Sequence, residues 1–185
     1  MTNLGGENSL SRKGCPDEYP ITLIINGYEI AVFQLTKNDL DDWAYGYLFS
    51  EGFIHEANDI EAITIEDDIG AIRVSLHSPF DEEKVFSKKK HYTAGCGKCV
   101  TFFFMTDVKN FAKVVSTKRY ELSYLLKKRS EFARESRLYL ETGGMHGACI
   151  VEEDGTITIR EDIGRHNAVG HGGQKDIMRI GMRMK

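Results

Sequence analysis

Residues 21–25 and 30–35 are two short, mostly apolar runs of the length of β-strands, bounded by a turn signal. Asn26-Gly27 lies between them and supplies the positive φ angles of a two-residue turn, so the two runs are expected to pair as a hairpin. A helical period follows. Leu40, Trp43, Ala44, Tyr47 and Leu48 recur at i, i+3, i+4, i+7 and i+8, the stripe of an amphipathic helix capped by Asn38 or Asp39 and ended by Gly52. Trp43 and Tyr47 fit that stripe well enough to be assigned to core packing rather than to a ligand.

Residues 60–65 and 71–77 read as two further strands around Asp67-Asp68-Ile69-Gly70. The charge-rich run 81–90 is expected to be a solvated helix or loop. Residues 100–105 are apolar without clear period, which suits a buried strand or the first turn of a helix. From 117 to 140 the pattern is helical, with Leu122, Leu125, Leu126, Ala133, Arg137 and Leu140 near one side, and Thr142-Gly143-Gly144 breaks it. Residues 147–152 and 156–160 then form a second expected hairpin around Asp154-Gly155. Strands and helices mix throughout, so the predicted class is α/β, in the α+β sense of a mixed sheet.

Composition narrows the field. A chain of 185 residues with a net charge of −4 and a pI near 5.9 is not built for general binding to nucleic acid or to an anionic membrane. No run approaches the roughly 18 apolar residues of a membrane span. The start of the chain is polar, without the basic-then-apolar order of a signal peptide. A cytoplasmic protein is therefore expected, and four cysteines in a reducing compartment point to catalysis, redox chemistry or metal binding. Cys15, in the loose lead-in, and Cys149, in a strand-like run, are read as bystanders, a buried lone cysteine behaving as a small hydrophobe.

The candidate chemistry lies in three segments. In Gly95-Cys96-Gly97-Lys98-Cys99 two thiols can approach each other, the glycines let the loop bend, and Lys98 favours thiolate, the nucleophilic form. Disulfide exchange, half of a zinc site and acceptance of a persulfide sulfur all suit such a pair. Zinc needs two more ligands, and the histidine spacing offers only His166 and His171 beside Cys96 and Cys99. In Thr142-Gly143-Gly144-Met145-His146-Gly147 the glycines permit close approach of a ligand to the backbone, and His146 is a candidate acid, base or hydrogen-bond donor. In Arg160-Glu161-Asp162-Ile163-Gly164-Arg165-His166-Asn167-Ala168 polar groups crowd the end of a predicted strand where a helix begins. Such junctions offer free N–H groups to anions; Arg165 suits phosphate, and Asp162 is placed to orient His166.

Together these segments resemble the formate dehydrogenase accessory sulfurtransferases of the FdhD/NarQ family. The likeness rests on Ile25-Asn26-Gly27, Leu48-Phe49-Ser50-Glu51-Gly52-Phe53-Ile54, Gly95-Cys96-Gly97-Lys98-Cys99, Thr142-Gly143-Gly144-Met145-His146-Gly147-Ala148 and Glu161-Asp162-Ile163-Gly164-Arg165-His166-Asn167-Ala168-Val169, in the family's order. It implies a sulfur carrier that takes persulfide sulfur from a cysteine desulfurase and delivers it to the molybdenum cofactor, bis-molybdopterin guanine dinucleotide, for formate dehydrogenase. By the same resemblance Cys96 and Cys99 are catalytic, Cys96 carrying the persulfide. Gly143, Gly144, His146, Asp162, Arg165, His166 and Asn167 bind the cofactor or its guanine nucleotide, and the protein is a homodimer with no resident metal. The implied fold has a cytidine deaminase-like core. The expected division is a disordered lead-in (1–18), a β-rich part with one helix (19–92), the cysteine loop with a partial deaminase-like core (93–169) and an atypical tail (170–185). The tail departs from the family's pattern, which continues from Arg-His-Asn-Ala into an Asp-Lys pair; a truncated or frameshifted chain lacking its C-terminal strands is expected. A small zinc-binding or redox module and an inactive family fragment are the competing readings.

Overall fold

A computed structural model of the chain describes residues 14–78, 91–92, 100–101 and 116–172. Strands β1 (Tyr19–Ile25) and β2 (Tyr28–Leu35) form the expected antiparallel hairpin. Asn26 at φ 48 and Gly27 at φ 88 make its turn, a conformation these two residues adopt at little cost. The Asn26 side chain also accepts the N–H of Leu76 at 2.8 Å, which ties the turn to a strand beyond it. The register slips between Leu23 and Ile24, leaving Ile30 as an extra residue in β2 that is turned into the core.

β3 (Ile60–Glu66) and β4 (Ala71–Leu76) pair antiparallel, and β4 adds parallel to β1, giving the order β2-β1-β4-β3. Helix α1 (Leu40–Ser50) links β2 to β3 through a short 3-10 turn at Ala57–Asp59. Its stripe is the one the periodicity predicts: Leu40, Trp43, Ala44, Tyr47 and Leu48 are buried against Ile21, Leu23, Ile25, Leu35, Ile72 and Val74. The ring of Phe33 meets Trp43 and Tyr47 edge-on, each at 4.8 Å between centroids. Burying side chains of this size stabilises a fold by about 1.5–3 kcal/mol each. Asp39 occupies the N-cap position with φ 45 and without a side-chain cap hydrogen bond. At the other end the Phe53 N–H reaches back to Leu48 O and the Gly52 N–H to Phe49 O, satisfying the carbonyls a helix end leaves open.

The expected single helix over 117–140 is instead two. α2 (Leu122–Glu135) ends at Ser136 and α3 (Arg137–Thr142) begins there. The physical reason lies in a later strand, β8 (Ile157–Asp162). Glu161 is buried, and its carboxylate accepts the N–H groups of Leu138 at 3.0 Å and Tyr139 at 2.8 Å. Those donors belong to the first turn of α3, so a distant strand caps a helix the local sequence would have continued. The Leu122, Leu125 and Leu126 side of α2 is also not core: these residues are 69%, 49% and 53% exposed. The helix lays its other side on the hairpin, where the Lys128 ammonium donates to Gly155 O and the Phe132 ring lies so close to Gly147 that a Cβ there would come within 2.8 Å of Cζ.

That second hairpin, β7 (His146–Val151) with β8 (Ile157–Asp162), forms as predicted. One more helix, α4 (Arg165–Gly172), follows it and packs against α1 as well as against β7 and β8. Gly170 lies against the Trp43 ring, where a Cβ would meet Cδ1 at 3.3 Å. Thus α4 joins the two halves, and it runs on through residues 170–172, beyond the point where the family pattern was read to stop. Two short strands, β5 (His91–Tyr92) and β6 (Val100–Thr101), pair antiparallel, which resolves the start of the apolar run at 100 as strand. Among the described residues, no helix is long and apolar enough to cross a membrane.

Candidate functional site

Cys96 and Cys99 fall in the segment that leads from β5 to β6 and lie outside the described residues. The other two sequence-predicted segments are described, and the hairpin register brings them together. His146 opens β7 directly opposite Asp162, which closes β8. The glycines before His146 and the Arg165-His166 start of α4 therefore share one end of the hairpin, although 16 residues separate His146 from Asp162 along the chain. Gly143 ends α3 at φ 71, the left-handed conformation that favours glycine. Gly144 is exposed and sits against Pro16, where a Cβ would come within 2.7 Å of Cγ.

The seven expected binding residues divide sharply. Gly143, Gly144, His146, Arg165 and His166 are exposed. Asp162 is 0% exposed, and its carboxylate is filled from within the chain. Oδ1 accepts the Gly164 N–H at 2.7 Å and the Asn167 amide Nδ2 at 3.0 Å. Oδ2 accepts the Thr36 N–H at 2.8 Å and lies 3.3 Å from His171 Nε2. Asn167 also donates to Gln34 O at 2.9 Å, and the Ile163 N–H donates to Thr36 Oγ1 at 3.2 Å. Asp162 thus serves Asn167 and His171, not His166 as the sequence suggested. It stitches the turn before α4 onto the end of β2. A second link runs alongside: Arg160 Nε donates to Asp42 Oδ2 at 2.9 Å and lies 3.5 Å from Asp39 Oδ2.

His171 is the residue that sequence reasoning misplaced. Its spacing from His166 suggested paired metal ligands, but five residues on a helix turn side chains about 140° apart. His166 faces solvent, while His171 is 1% exposed, with both ring nitrogens engaged. The available signal was Asp162, nine positions earlier, because a carboxylate ending a strand can meet a side chain two turns into the next helix. Among the described residues, no group of three or more His, Cys, Asp or Glu side chains is gathered to hold a metal ion.

Cys149 lies on β7 opposite Ile159 and is open to solvent rather than buried. Partial burial nonetheless pushes its thiol up from the ordinary value, which disfavours the nucleophilic thiolate. On the far hairpin turn, the Thr156 N–H and hydroxyl hold the Asp154 carboxyl below its ordinary value.

A model of the FdhD/NarQ family matches residues 16–171. The sulfur carrier protein FdhD of Shouchella clausii is 35% identical over 156 residues, which are 82% of this chain and 58% of that protein. That of Geobacillus kaustophilus is 33% identical, with 82% and 58% covered, and that of Bacillus subtilis 30% identical, with 89% and 63% covered. The chain spans about three fifths of the length of the curated relatives it matches. Among solved structures, a crystal structure described as that of a candidate formate dehydrogenase accessory protein from Desulfotalea psychrophila superposes with a TM-score of 0.62. It is 23% identical, covering 88% of this chain and 58% of that one, a likeness of fold.

Proposed function

We propose that this chain, which belongs to the FdhD/NarQ family, is a sulfur carrier that moves persulfide sulfur from a cysteine desulfurase to the molybdenum cofactor destined for formate dehydrogenase. The observation that carries this reading is the meeting of the Gly143-Gly144-His146 and Arg165-His166 segments at one end of the β7–β8 hairpin. The groups exposed there are an arginine, two histidines and glycine backbone. Such a set donates hydrogen bonds and suits the diphosphate of a guanine dinucleotide. A neutral apolar ligand would find little there to bind.

The chemistry belongs to the cysteine pair. The Cys96 thiolate attacks the outer sulfur of the donor enzyme's persulfide, forming Cys96–S–SH and releasing the donor thiolate, with no net oxidation. For delivery, the Cys99 thiolate attacks Cys96 Sγ. A Cys96–Cys99 disulfide forms, and the outer sulfur leaves as hydrosulfide to the cofactor, its two electrons supplied by the thiol pair. A thiol reductant then restores the pair. Lys98 favours the thiolate on which both steps depend. The cofactor is substrate here, bound through Arg165, His166, His146 and the glycine backbone.

Incubation of the purified chain with a cysteine desulfurase and free cysteine should add the mass of one sulfur atom, located by peptide mapping to Cys96. Cys96→Ala should abolish the adduct. Cys149, whose thiol lies above its ordinary value, should take none. An adduct that survives Cys96→Ala, or none in the wild type, would remove this function.

A further inference from the structure

The start of α4 is held by a residue that belongs to none of the motif segments. Thr36 directly follows β2 and is half-buried. Its N–H donates to Asp162 Oδ2 at 2.8 Å, and its hydroxyl oxygen accepts the Ile163 N–H at 3.2 Å. Its carbonyl in turn accepts the Asn38 N–H at 2.7 Å, so Thr36 is itself fixed by the turn that leads into α1. From Asp162 the linkage runs on to α4. Oδ1 accepts the Gly164 N–H at 2.7 Å and the Asn167 amide at 3.0 Å. The Gly164 carbonyl accepts the Ala168 N–H at 2.9 Å, the first hydrogen bond of the helix. There is no slack in this turn: a Cβ on Gly164 would come within 2.7 Å of Asn167 Nδ2. Between the bonded positions 164 and 167 stand Arg165 and His166, both exposed, at the end of a helix where backbone N–H groups are open to an anion.

We infer that Thr36 is a positioning residue for the anion-binding turn of α4, its hydroxyl setting the direction in which Arg165 and His166 are presented. The backbone N–H of Thr36 reaches Asp162 whatever the side chain is. The hydroxyl is different, because it alone holds the Ile163 N–H, at the point where β8 has ended and α4 has not begun. Without it the 162–164 turn keeps its bonds to the Asp162 carboxylate but gains freedom at Ile163, and binding must then remove that freedom. The half of the molecule built on the four-stranded sheet thus takes part in the site without touching the ligand. This inference rests on the nucleotide-binding reading of that turn.

The test uses the full chain and guanosine diphosphate as the probe, with affinity measured by NMR titration, which reaches weak complexes. Thr36→Val keeps the shape of the side chain and the backbone N–H but removes the hydroxyl; Thr36→Ser keeps both polar groups. T36V should bind the nucleotide roughly fivefold more weakly than wild type, the equivalent of one hydrogen bond of about 1 kcal/mol. T36S should lie within about twofold of wild type. In an Arg165→Gln background the T36V penalty should shrink, because a group that Thr36 positions is gone; a purely structural role would leave it unchanged. Wild-type affinity in T36V, the same loss in T36S, or an undiminished penalty beside R165Q would overturn the inference while leaving the nucleotide site in place. If T36V does not fold, Thr36→Ala, which removes the hydroxyl without placing a methyl group against the Ile163 N–H, decides by the same readouts. Absence of nucleotide binding by wild type removes the binding reading, and the positioning role with it.

Discussion

Two helices of similar pattern meet opposite fates in this molecule. α1 and α2 each carry leucines at helical spacing, and each lies against β-strands. The stripe of α1 faces the four-stranded sheet and is buried with Trp43 and Leu48 at 1% and 0% exposure. The stripe of α2 faces away from the two-stranded hairpin, and among the described residues no side chain of α2 is fully buried. The difference is one of opposing surface. Four strands present a broad apolar face whose burial repays the ordering of the chain. A two-stranded ribbon alone is marginal in water, and here it packs against α4 and against the side of α2 that carries Lys128 and Phe132. Periodicity therefore identifies which side of a helix is apolar, but the partner decides whether that side is inside.

The contrast can be broken most forcefully at Trp43. Trp43→Ala should cost about 3–5 kcal/mol in urea denaturation followed by circular dichroism, since the side chain is enclosed and its ring touches Phe33 and Tyr47. A loss below about 1 kcal/mol would mean that the sheet–α1 core is not the stable half. The join between the halves comes next. Asp42→Ala removes the acceptor from the half-buried Arg160 guanidinium and should cost about 1–2 kcal/mol by the same method. An unchanged midpoint would show the two halves held by α4 and by the bonds of Asp162 and Ile163 to Thr36, without this ion pair. Smallest of all is the outward stripe: Leu126→Ala should change stability by less than about 0.5 kcal/mol. A cost near that of Trp43→Ala would show this side covered in solution and erase the contrast with α1.

Much of the site was also open to sequence reasoning, though unevenly. Gly143, Gly144, His146, Arg165 and His166 were singled out by glycine framing and by charge density at a strand end, and they do stand exposed at one place. Asp162 and Asn167 belong to the same motif, but their polarity serves the inside of the molecule. Nothing in a residue's type says whether its hydrogen bonds go to a ligand or to the chain. That depends on what the fold brings opposite, here Gln34 of β2 and Thr36 just after it, more than a hundred residues earlier.

What the sequence determined by itself is local: two hairpins with their turns, the start and stripe of α1, the glycine end of the second helical region, and the order of motifs that marks the family. Each depends on neighbours within a few positions, where backbone sterics and helical or strand period act directly. Tertiary structure alone decided the rest. The break at Ser136 comes from the Glu161 carboxylate on β8 capping α3, the outward turn of the α2 leucines from the narrowness of the ribbon beneath, and the burial of His171 from Asp162 and Asp39 closing on it from two separate elements. These are contacts between residues far apart in the chain, and no local pattern encodes which distant partner will arrive.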